Sequence, residues 1–146
     1  MNDDLYVTLY NKALDILSRR EHSEKELTNK LLKKFDNAKT IDLVIQNLVD
    51  KNLVNDHRYS ESYIAARKRK GFGPKKIMYE LISRGVSEAI ALQAIDTEGE
   101  WKAAALKVFN KKFKQGVGID FKEVNKQKAF LQNRGFSFEE IDSVFM

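Results

Sequence analysis

Apolar residues recur along this chain at a fixed interval of 50 residues. Leu31, Leu81 and Leu131 occupy one register, and a cation stands three positions after each of them. The same register includes two further sets of apolar positions: Ile41 and Ile141, which lie two intervals apart, and Ile45, Ile95 and Phe145. Recurrence at one long period is typical of tandem supersecondary units, each of which completes its core against the next one. The pattern predicts an array with an extended binding surface rather than a pocket enzyme.

Helical spacing of the apolar residues predicts three helices in the first unit, residues 1–55. We expect the first helix over residues 5–20, the second from the capping box of Ser23 and Glu26, and the third from Thr40. Their apolar faces consist of Leu5, Leu9, Ala13, Ile16 and Leu17, of Leu27, Leu31, Leu32 and Phe35, and of Ile41, Val44, Ile45, Leu48 and Val49.

The second unit, residues 56–96, repeats this plan. Its first helix has Asn55 or Asp56 as N-cap and ends in a run of cations before Gly71-Phe72-Gly73. Pro74 suits the first turn of the next helix, whose apolar residues are Ile77, Leu81 and Ile82. Ser87 begins the last helix of the unit.

The third unit, residues 97–146, is the least regular copy. It opens near Thr97 or Glu98, and its second helix follows a longer loop at 115–118 with Asp120 as the cap. Gln127 stands where Leu27 and Ile77 stand in the other copies. Ser137 begins the last helix, and we expect three of its residues to be buried: Ile141, Val144 and Phe145.

These patterns together predict an all-α fold of nine helices in three tandem three-helix repeats, forming an elongated array. No sustained alternation of apolar and polar residues suggests a sheet. Leu81 to Ser87 and Leu131 to Ser137 each indicate one helix ending and another beginning, with glycine in the left-handed conformation at Gly85 and Gly135. The angles between the repeats are left open by the sequence.

Composition excludes several classes of protein. The chain has no cysteine, so it has neither disulfides nor thiolate metal sites. It also has no apolar run long enough to predict a membrane span. His22 and His57 lie 35 residues apart, outside any metal-ligand pattern, and no pair of carboxylates is marked out for acid/base catalysis. We therefore expect no catalytic residues, no metal and no cofactor.

Charge directs attention to the middle of the chain. The net charge is +5, but residues 1–55 carry nine charges of each sign, so the excess lies in the second and third repeats. Folding should bring six cations around Phe72: Arg67, Lys68, Arg69, Lys70, Lys75 and Lys76. Such a patch can contact phosphates while the ring stacks on a base, although an acidic protein groove would be met equally well. Lys111, Lys112 and Lys114 can extend the patch.

The most specific segments of the chain are Asp56-His57-Arg58-Tyr59 and Lys70 through Ile77, followed by Leu81 and Arg84-Gly85-Val86. They resemble the RecX family of recombination regulators. Two flanking segments, from Ala13 to Leu31 and from Phe130 to Ser137, are also similar, so the likeness covers nearly the whole chain. The positions that match the signature of the second repeat are Asp56, Arg58, Tyr59, Gly71, Gly73, Pro74, Leu81, Arg84 and Gly85.

The resemblance implies a cytoplasmic bacterial protein that binds the RecA recombinase and restrains its filament on single-stranded DNA. A protein of this kind limits filament extension and lowers recombinase, ATPase and coprotease activities, in the regulation of DNA repair and recombination. We expect a monomer that contacts RecA, with direct contact to single-stranded DNA as a secondary contribution and no membrane. The expected contact residues are Arg58, Arg67, Lys68, Arg69, Lys70, Phe72, Lys75, Lys76, Arg84, Lys111 and Lys112.

One alternative is a stand-alone helical DNA-binding module that acts without RecA, with the helix after Gly73 in a groove of the DNA. No single helix has the density of Arg, Asn and Gln on one face that base readout requires. Sequence-specific binding to naked DNA, without binding to RecA, would favour this alternative.

Overall fold

The structure is a computed structural model that describes residues 3–146 and contains nine α-helices in that range, with no strand among the described residues. The helices are α1 (Asp3–Leu17), α2 (Glu24–Leu32), α3 (Ala38–Asp50), α4 (Asp56–Arg69), α5 (Pro74–Ser83), α6 (Glu88–Glu98), α7 (Trp101–Lys112), α8 (Phe121–Asn133) and α9 (Phe138–Val144). The predicted all-α fold of nine helices is confirmed.

Helix starts were well predicted because capping is local. Ser23 and Ser137 each form a complete capping box with the glutamate three residues later. Asn55 Oδ1 accepts a hydrogen bond from the Arg58 amide, and Asp120 caps α8 through the Glu123 amide. Pro74 is the first residue of α5, where its missing N–H costs no helical hydrogen bond.

Three helix boundaries differ from the prediction. Helix α1 ends at Leu17, before Arg19 and Arg20, where the Ser18 hydroxyl donates to the Asp15 carbonyl and competes with the helical pattern. Helix α3 begins at Ala38, two residues before Thr40.

The third difference concerns the start of the last repeat. Thr97 and Glu98 belong to α6, and α7 begins only at Trp101. Gly99 and Glu100 both have a φ of about 60°, so they end one helix before the next begins. The Trp101 ring N–H donates to the Ile95 carbonyl at 3.0 Å, where it is a second donor beside the Gly99 amide.

Three helices end in the same glycine turn. Gly71, Gly85 and Gly135 have φ values of +93°, +92° and +99°. In each turn the amide of the residue after the glycine donates a hydrogen bond back to a carbonyl five residues earlier. An example is the bond from the Val86 amide to the Leu81 carbonyl at 3.1 Å. The left-handed glycines predicted at positions 85 and 135 are confirmed.

The contacts between residues divide the chain into two compact units. The first comprises Met1–Ser62 and Leu81–Ala91, and the second comprises Tyr63–Glu80 and Leu92–Met146. Helices α4, α5 and α6 therefore each contribute residues to both units.

The first unit has an aliphatic core supplied by α1, α2 and α3, which all contact one another. Its buried residues are Leu9, Ala13, Leu27, Leu31, Ile41, Val44, Ile45, Leu48 and Val54. Leu32 is more exposed than its place on the predicted apolar face suggests, and Val49 is half-buried. Burying a side chain of this size contributes about 1.5–3 kcal/mol, so the aliphatic face of α3 stabilises this unit substantially.

The second unit has a more aromatic core, around α7, α8 and α9. Phe109 is buried and packs against Phe113 and Phe145, with ring centroids 5.2 and 5.4 Å away. Ile141 and Val144 are buried as predicted, whereas Phe145 is only half-buried. The Phe109–Phe145 pair is edge-to-face, and a pair of this kind adds about 0.5–1.5 kcal/mol beyond the area it buries.

Within residues 3–146, no helix is both long and apolar enough to cross a lipid bilayer.

Candidate functional site

The positive charge of the protein belongs to its second unit. The first unit has 11 basic and 12 acidic residues, whereas the second has 15 basic and 9 acidic. The net charges of −1 and +6 account for the +5 of the whole chain. A polyanionic partner is therefore attracted to the second unit.

The Phe72 ring lies among three cations of this unit. The guanidinium carbon of Arg67 is 3.9 Å from the ring centroid, Lys76 Nζ is 5.0 Å away, and the guanidinium carbon of Arg134 is 5.2 Å away. Cation–π contacts contribute about 0.5–1 kcal/mol at exposed sites, and they keep cations together that would otherwise repel one another. The predicted association of Phe72 with cations is present, with Arg134 as an additional member.

Backbone hydrogen bonds hold the Phe72 turn against the turn between α8 and α9. The Gly73 amide donates to the Arg134 carbonyl at 2.7 Å, and the Lys75 amide donates to the Gly135 carbonyl at 2.9 Å. A Cβ on Gly73 would lie 2.5 Å from the carbonyl carbon of Gly135, so only glycine fits at this position. This contact brings Arg134 to Phe72.

Arg67 is occupied within the protein. Its guanidinium donates two hydrogen bonds to Glu80, at 2.9 and 2.8 Å, and Tyr63 donates a third to the same carboxylate at 2.8 Å. Burial acts to raise the pKa of the Glu80 carboxyl, but the hydrogen bonds from Arg67 and Tyr63 outweigh it and lower that pKa below its usual value. Arg67 thus orients the Phe72 ring while its own charge is paired.

Lys68 is also engaged. Its ammonium group donates to Glu98 at 3.1 Å and to the Gly99 carbonyl at 2.8 Å, and it lies 5.0 Å from the Trp101 ring centroid. These contacts join the end of α4 to the turn between α6 and α7, so Lys68 supports the structure as well as carrying charge.

Cations of this region also line a groove of about 570 Å³. Seven cations contribute to its wall, and Glu100 is the one carboxylate among its lining residues. The cations are Lys68, Arg69, Lys70, Lys107, Lys111, Lys112 and Arg134. Among the described residues, only Lys68 of these seven forms an ion pair. We call this cavity the basic groove.

The basic groove also has an apolar side, formed by Ala103, Ala104, Val108 and Phe130. Phe130 lies between two cations, with Lys112 Nζ 5.5 Å and the Arg134 guanidinium carbon 5.1 Å from its ring centroid. A half-buried aromatic ring flanked by cations can accept a base while the cations contact phosphates. The shape and chemistry suit an unpaired polynucleotide strand.

Three predicted contact residues lie elsewhere. Lys75 is exposed, and its Nζ is 5.7 Å from the Phe138 ring centroid. Arg58, in the first unit, donates to Glu21 at 2.9 Å and to the Asn52 carbonyl at 3.0 Å. Arg84, also in the first unit, pairs with Glu26 at 3.0 Å. Of the six cations predicted around Phe72, Arg67 and Lys76 contact its ring, three line the basic groove, and Lys75 lies beside Phe138, so the six do not form one cluster.

Sequence reasoning missed Lys107, Phe130 and Arg134 as groove residues. Arg134 carried a usable signal, since it occupies the recurring cation position three residues after Leu131. Lys107 and Lys111 are four residues apart on α7 and so share a helix face, a spacing that the sequence also displays. Only the fold places that face beside the end of α4.

No cluster of three or more potential metal ligands occurs among the described residues. His22 is buried, its Nδ1 lies 3.0 Å from the Arg20 carbonyl, and its Nε2 lies 2.6 Å from Lys30 Nζ. Burial lowers the pKa of His22, and the nearby Arg20 and Lys30 cations act in the same direction. The neutral ring can thus donate to the carbonyl and accept from Lys30.

Three family models match the chain over most of its length. The RecX first three-helix domain matches residues 10–48, the second matches residues 55–95, and the third matches residues 99–145. The chain is 37% identical to the regulatory protein RecX of Pseudomonas fluorescens over 94% of its own length and 90% of that relative. It is 34% identical to the regulatory protein RecX of Halorhodospira halophila, over 88% of its own length and 81% of the relative.

The fold is also similar to a solved structure. The crystal structure of RecX from Lactobacillus salivarius superposes with a TM-score of 0.84 at 27% identity, covering 98% of this chain and 96% of the other. The order of the three matched domains agrees with the order of the three-helix repeats along the chain. The chain belongs to the RecX family.

Proposed function

We propose that the protein is a regulator of RecA that binds the RecA filament on single-stranded DNA in the bacterial cytoplasm. It limits filament extension and thereby lowers the recombinase, ATPase and coprotease activities of RecA. It acts as a monomeric binding protein rather than an enzyme. Two findings support this proposal: its relatives are named regulatory proteins, and its positive charge is concentrated in one unit.

The basic groove is the observation that carries the proposal. It combines unpaired cations with an apolar side at Val108 and Phe130, which is the combination that single-strand binding requires. Stacking of one base contributes about 1–3 kcal/mol, so the groove supplies a modest affinity for DNA alone. Modest affinity fits a protein whose main partner is the recombinase and whose DNA contact is secondary.

The predicted contact residues divide into three groups under this proposal. Arg69, Lys70, Lys111 and Lys112 line the groove and contact phosphates. Arg67 and Lys68 are paired with Glu80 and Glu98 and position the backbone beside the groove. Arg58 and Arg84 are paired with carboxylates of the first unit and do not line the groove. Phe72 lies on the turn that presents Arg134 to the groove, and Lys75 and Lys76 lie in the first turn of α5, which follows it.

The test is DNA-dependent ATP hydrolysis by RecA, measured while this protein is titrated from substoichiometric to equal amounts. We expect hydrolysis to fall and filaments to stay short under electron microscopy. If hydrolysis is unchanged at every ratio, the protein does not regulate RecA in this way.

A groove variant sharpens this test. Lys107→Ala with Lys111→Ala removes two cations of the groove wall, and the slope of log affinity for single-stranded DNA against log salt should fall by about 1.4. Lys102→Ala with Lys122→Ala is the matched control, because these exposed lysines belong to the same unit but do not line the groove. Equal slopes for the two variants would show that the groove does not bind DNA.

The alternative is a helical module that binds DNA without RecA. The groove favours it in one respect, because its chemistry suits a polynucleotide alone. Affinity for naked duplex DNA with sequence preference, combined with normal ATP hydrolysis by RecA, would favour this alternative over the regulator.

A further inference from the structure

The loop between α7 and α8 presents apolar side chains to solvent. Val117, Ile119 and Phe121 are 50%, 97% and 81% exposed, although they lie within five residues of one another. Single exposed apolar residues are common on protein surfaces and need no explanation. Three in one short segment, which we call the apolar loop (residues 116–121), are more than that background.

A buried glutamine braces the apolar loop from below. Gln127 is only 7% exposed, its side-chain amide donates to the Gly116 carbonyl at 3.0 Å, and its side-chain oxygen accepts from the Gly118 amide at 3.0 Å. The equivalent positions in the other repeats are Leu27 and Ile77, which are fully buried. At this position the third repeat therefore has a glutamine in place of an apolar core residue. The glutamine side chain holds the loop through one backbone carbonyl and one backbone amide.

A second set of contacts fixes the other end of the loop. Glu123 Oε2 accepts from the Ile119 amide at 3.0 Å, and Asp120 Oδ1 accepts from the Glu123 amide at 2.8 Å. A Cβ on Gly118 would lie 2.6 Å from the Glu123 Cβ, so the loop approaches α8 as closely as glycine allows. Gly116 has a φ of +86°, which favours glycine again.

This arrangement prepares the loop for binding. A loop that is already ordered loses less conformational entropy when a partner binds, and this saving adds to affinity. Full burial of an isoleucine or phenylalanine side chain contributes about 1.5–3 kcal/mol. Core packing alone favours leucine at position 127. The buried glutamine found there is therefore explained by the loop that it holds in place for a binding partner.

We propose that the apolar loop inserts Ile119 and Phe121 into an apolar pocket on the protein component of the filament, with Val117 at the edge of the contact. This inference rests on the proposed function and assigns a contact to the recombinase itself. The loop contacts protein rather than DNA, since residues 115–123 contain one basic and two acidic residues. Two of its three exposed apolar side chains, Val117 and Ile119, are aliphatic and do not stack on bases. The basic groove and the apolar loop thus serve two components of one target.

The experiment is co-sedimentation with RecA filaments assembled on single-stranded DNA. For Ile119→Ser with Phe121→Ser we expect at least tenfold weaker retention on the filament, and unchanged affinity for naked single-stranded DNA. The double variant removes only exposed side chains, so its helicity and melting temperature should match those of the wild type. Val7→Ser with Leu43→Ser is the matched control, because these residues are exposed apolar positions of the first unit, and it should retain wild-type binding.

A second variant tests the brace without altering the exposed side chains. Gln127→Leu introduces the residue that the first repeat has at this position, so the core is filled while the loop is released. We expect the melting temperature to be maintained and retention on the filament to weaken several-fold. Wild-type retention of this variant would show that the brace does not serve binding.

The outcomes separate this inference from the proposed function. If the double loop variant binds the filament as tightly as the wild type, the apolar loop is not the contact, while the RecA proposal stands. If the double variant loses affinity for naked DNA as well, the loop contacts nucleic acid and the inference is wrong. If the wild type itself fails to co-sediment, the proposed function fails and the loop contact fails with it.

Discussion

Two turn contacts of this protein have the same construction but different chemistry. In the first unit, the Ser23 hydroxyl donates to the Arg84 carbonyl at 2.7 Å. In the second unit, the Gly73 amide donates to the Arg134 carbonyl, also at 2.7 Å. Gly73 lies 50 residues after Ser23, and Arg134 lies 50 residues after Arg84, so the repeat interval relates the two contacts. We call them the first and second turn contacts.

The side chains around the two contacts differ in charge. In the first turn contact, Glu26 pairs with both Arg20 and Arg84, at 3.2 and 3.0 Å. The residue 50 positions after Glu26 is Lys76, so in the second turn contact a cation faces Arg134. Similarly, Phe72 occupies the position that His22 has in the first contact, and its ring contacts Lys76 and Arg134 as well as Arg67, which is paired with Glu80.

This comparison separates scaffold from function in the repeats. A hydrogen bond to a turn carbonyl and the close approach of the turns recur, because each repeat must pack against the next one. The donor is a side-chain hydroxyl in the first contact and a backbone amide in the second. The charges do not recur, because only one of the two contacts borders the basic groove. One glutamate-to-lysine difference leaves Arg134 free of a carboxylate partner among the described residues and so available to a polyanion.

Gly73→Ala should have the largest effect on stability, because it breaks the second turn contact. The added methyl group would meet the backbone of Gly135, which cannot move as a side chain can. We expect a loss of about 3 kcal/mol, at the upper end of the usual range for overpacking, measured by urea denaturation. Gly116→Ala is the control: its φ is +86° and no atom lies near the added methyl group, so it should cost about 1 kcal/mol of strain. Equal losses would mean that the close approach at Gly73 is unimportant.

Exchanging the charges of the two contacts should have the next largest effect. Glu26→Lys places a third cation beside Arg20 and Arg84, and we expect a loss of about 2 kcal/mol, between the values for exposed and buried ion pairs. Lys76→Glu supplies Arg134 with a carboxylate, so stability should hold or rise by less than about 1 kcal/mol. The affinity of Lys76→Glu for single-stranded DNA at low salt should fall. If Lys76→Glu binds DNA normally, the unpaired charge at this contact has no role in binding.

The smallest effect is a pH dependence confined to the first turn contact. Burial lowers the pKa of His22 in the folded protein below its ordinary value of 6.5, so the unfolded chain is protonated first as the pH falls. The stabilisation that neutral His22 contributes to the folded protein is complete above pH 6.5 and is lost progressively below it. The free energy of unfolding should therefore fall between pH 7.5 and 5.5, as measured by urea denaturation.

His22→Phe, which copies the second repeat, should remove most of this pH dependence, whereas replacement of the exposed His57 by Gln should leave it in place. The carboxyls of Glu26 and Glu80 act in a separate range. Burial works against them, but hydrogen bonds lower the pKa of each below 4.5, so their contribution is lost only in stronger acid. A pH dependence that persists in His22→Phe would contradict the assignment to His22.

Local signals predicted much of the fold. The capping boxes at Ser23 and Ser137 and the left-handed glycines at 85 and 135 depend on residues that are neighbours in sequence, so the sequence displays them directly. The predicted start of α7, near Thr97 or Glu98, was wrong because Gly99 ends α6 and the Trp101 ring donates to a carbonyl of that helix. An acceptor six residues away cannot be read from capping patterns.

The candidate site was predicted only in part. The cationic run at the end of α4 was visible as composition, but composition does not show which charges are paired. Arg67 is paired with Glu80, 13 residues away along the chain, and Lys68 is paired with Glu98, 30 residues away. Lys107 and Phe130 enter the groove from helices that the sequence places in another repeat.

The sequence by itself determined the helices, their repetition and the excess of positive charge, because helix capping, apolar periodicity and residue count depend on residues close together along the chain. The tertiary structure alone decided which cations are neutralised, where the groove lies and why a glutamine stands in the core of the third repeat. These properties depend on distances of a few ångströms between atoms that the chain separates by many residues. Coulombic and hydrogen-bonding energies follow those distances and not the order of the residues.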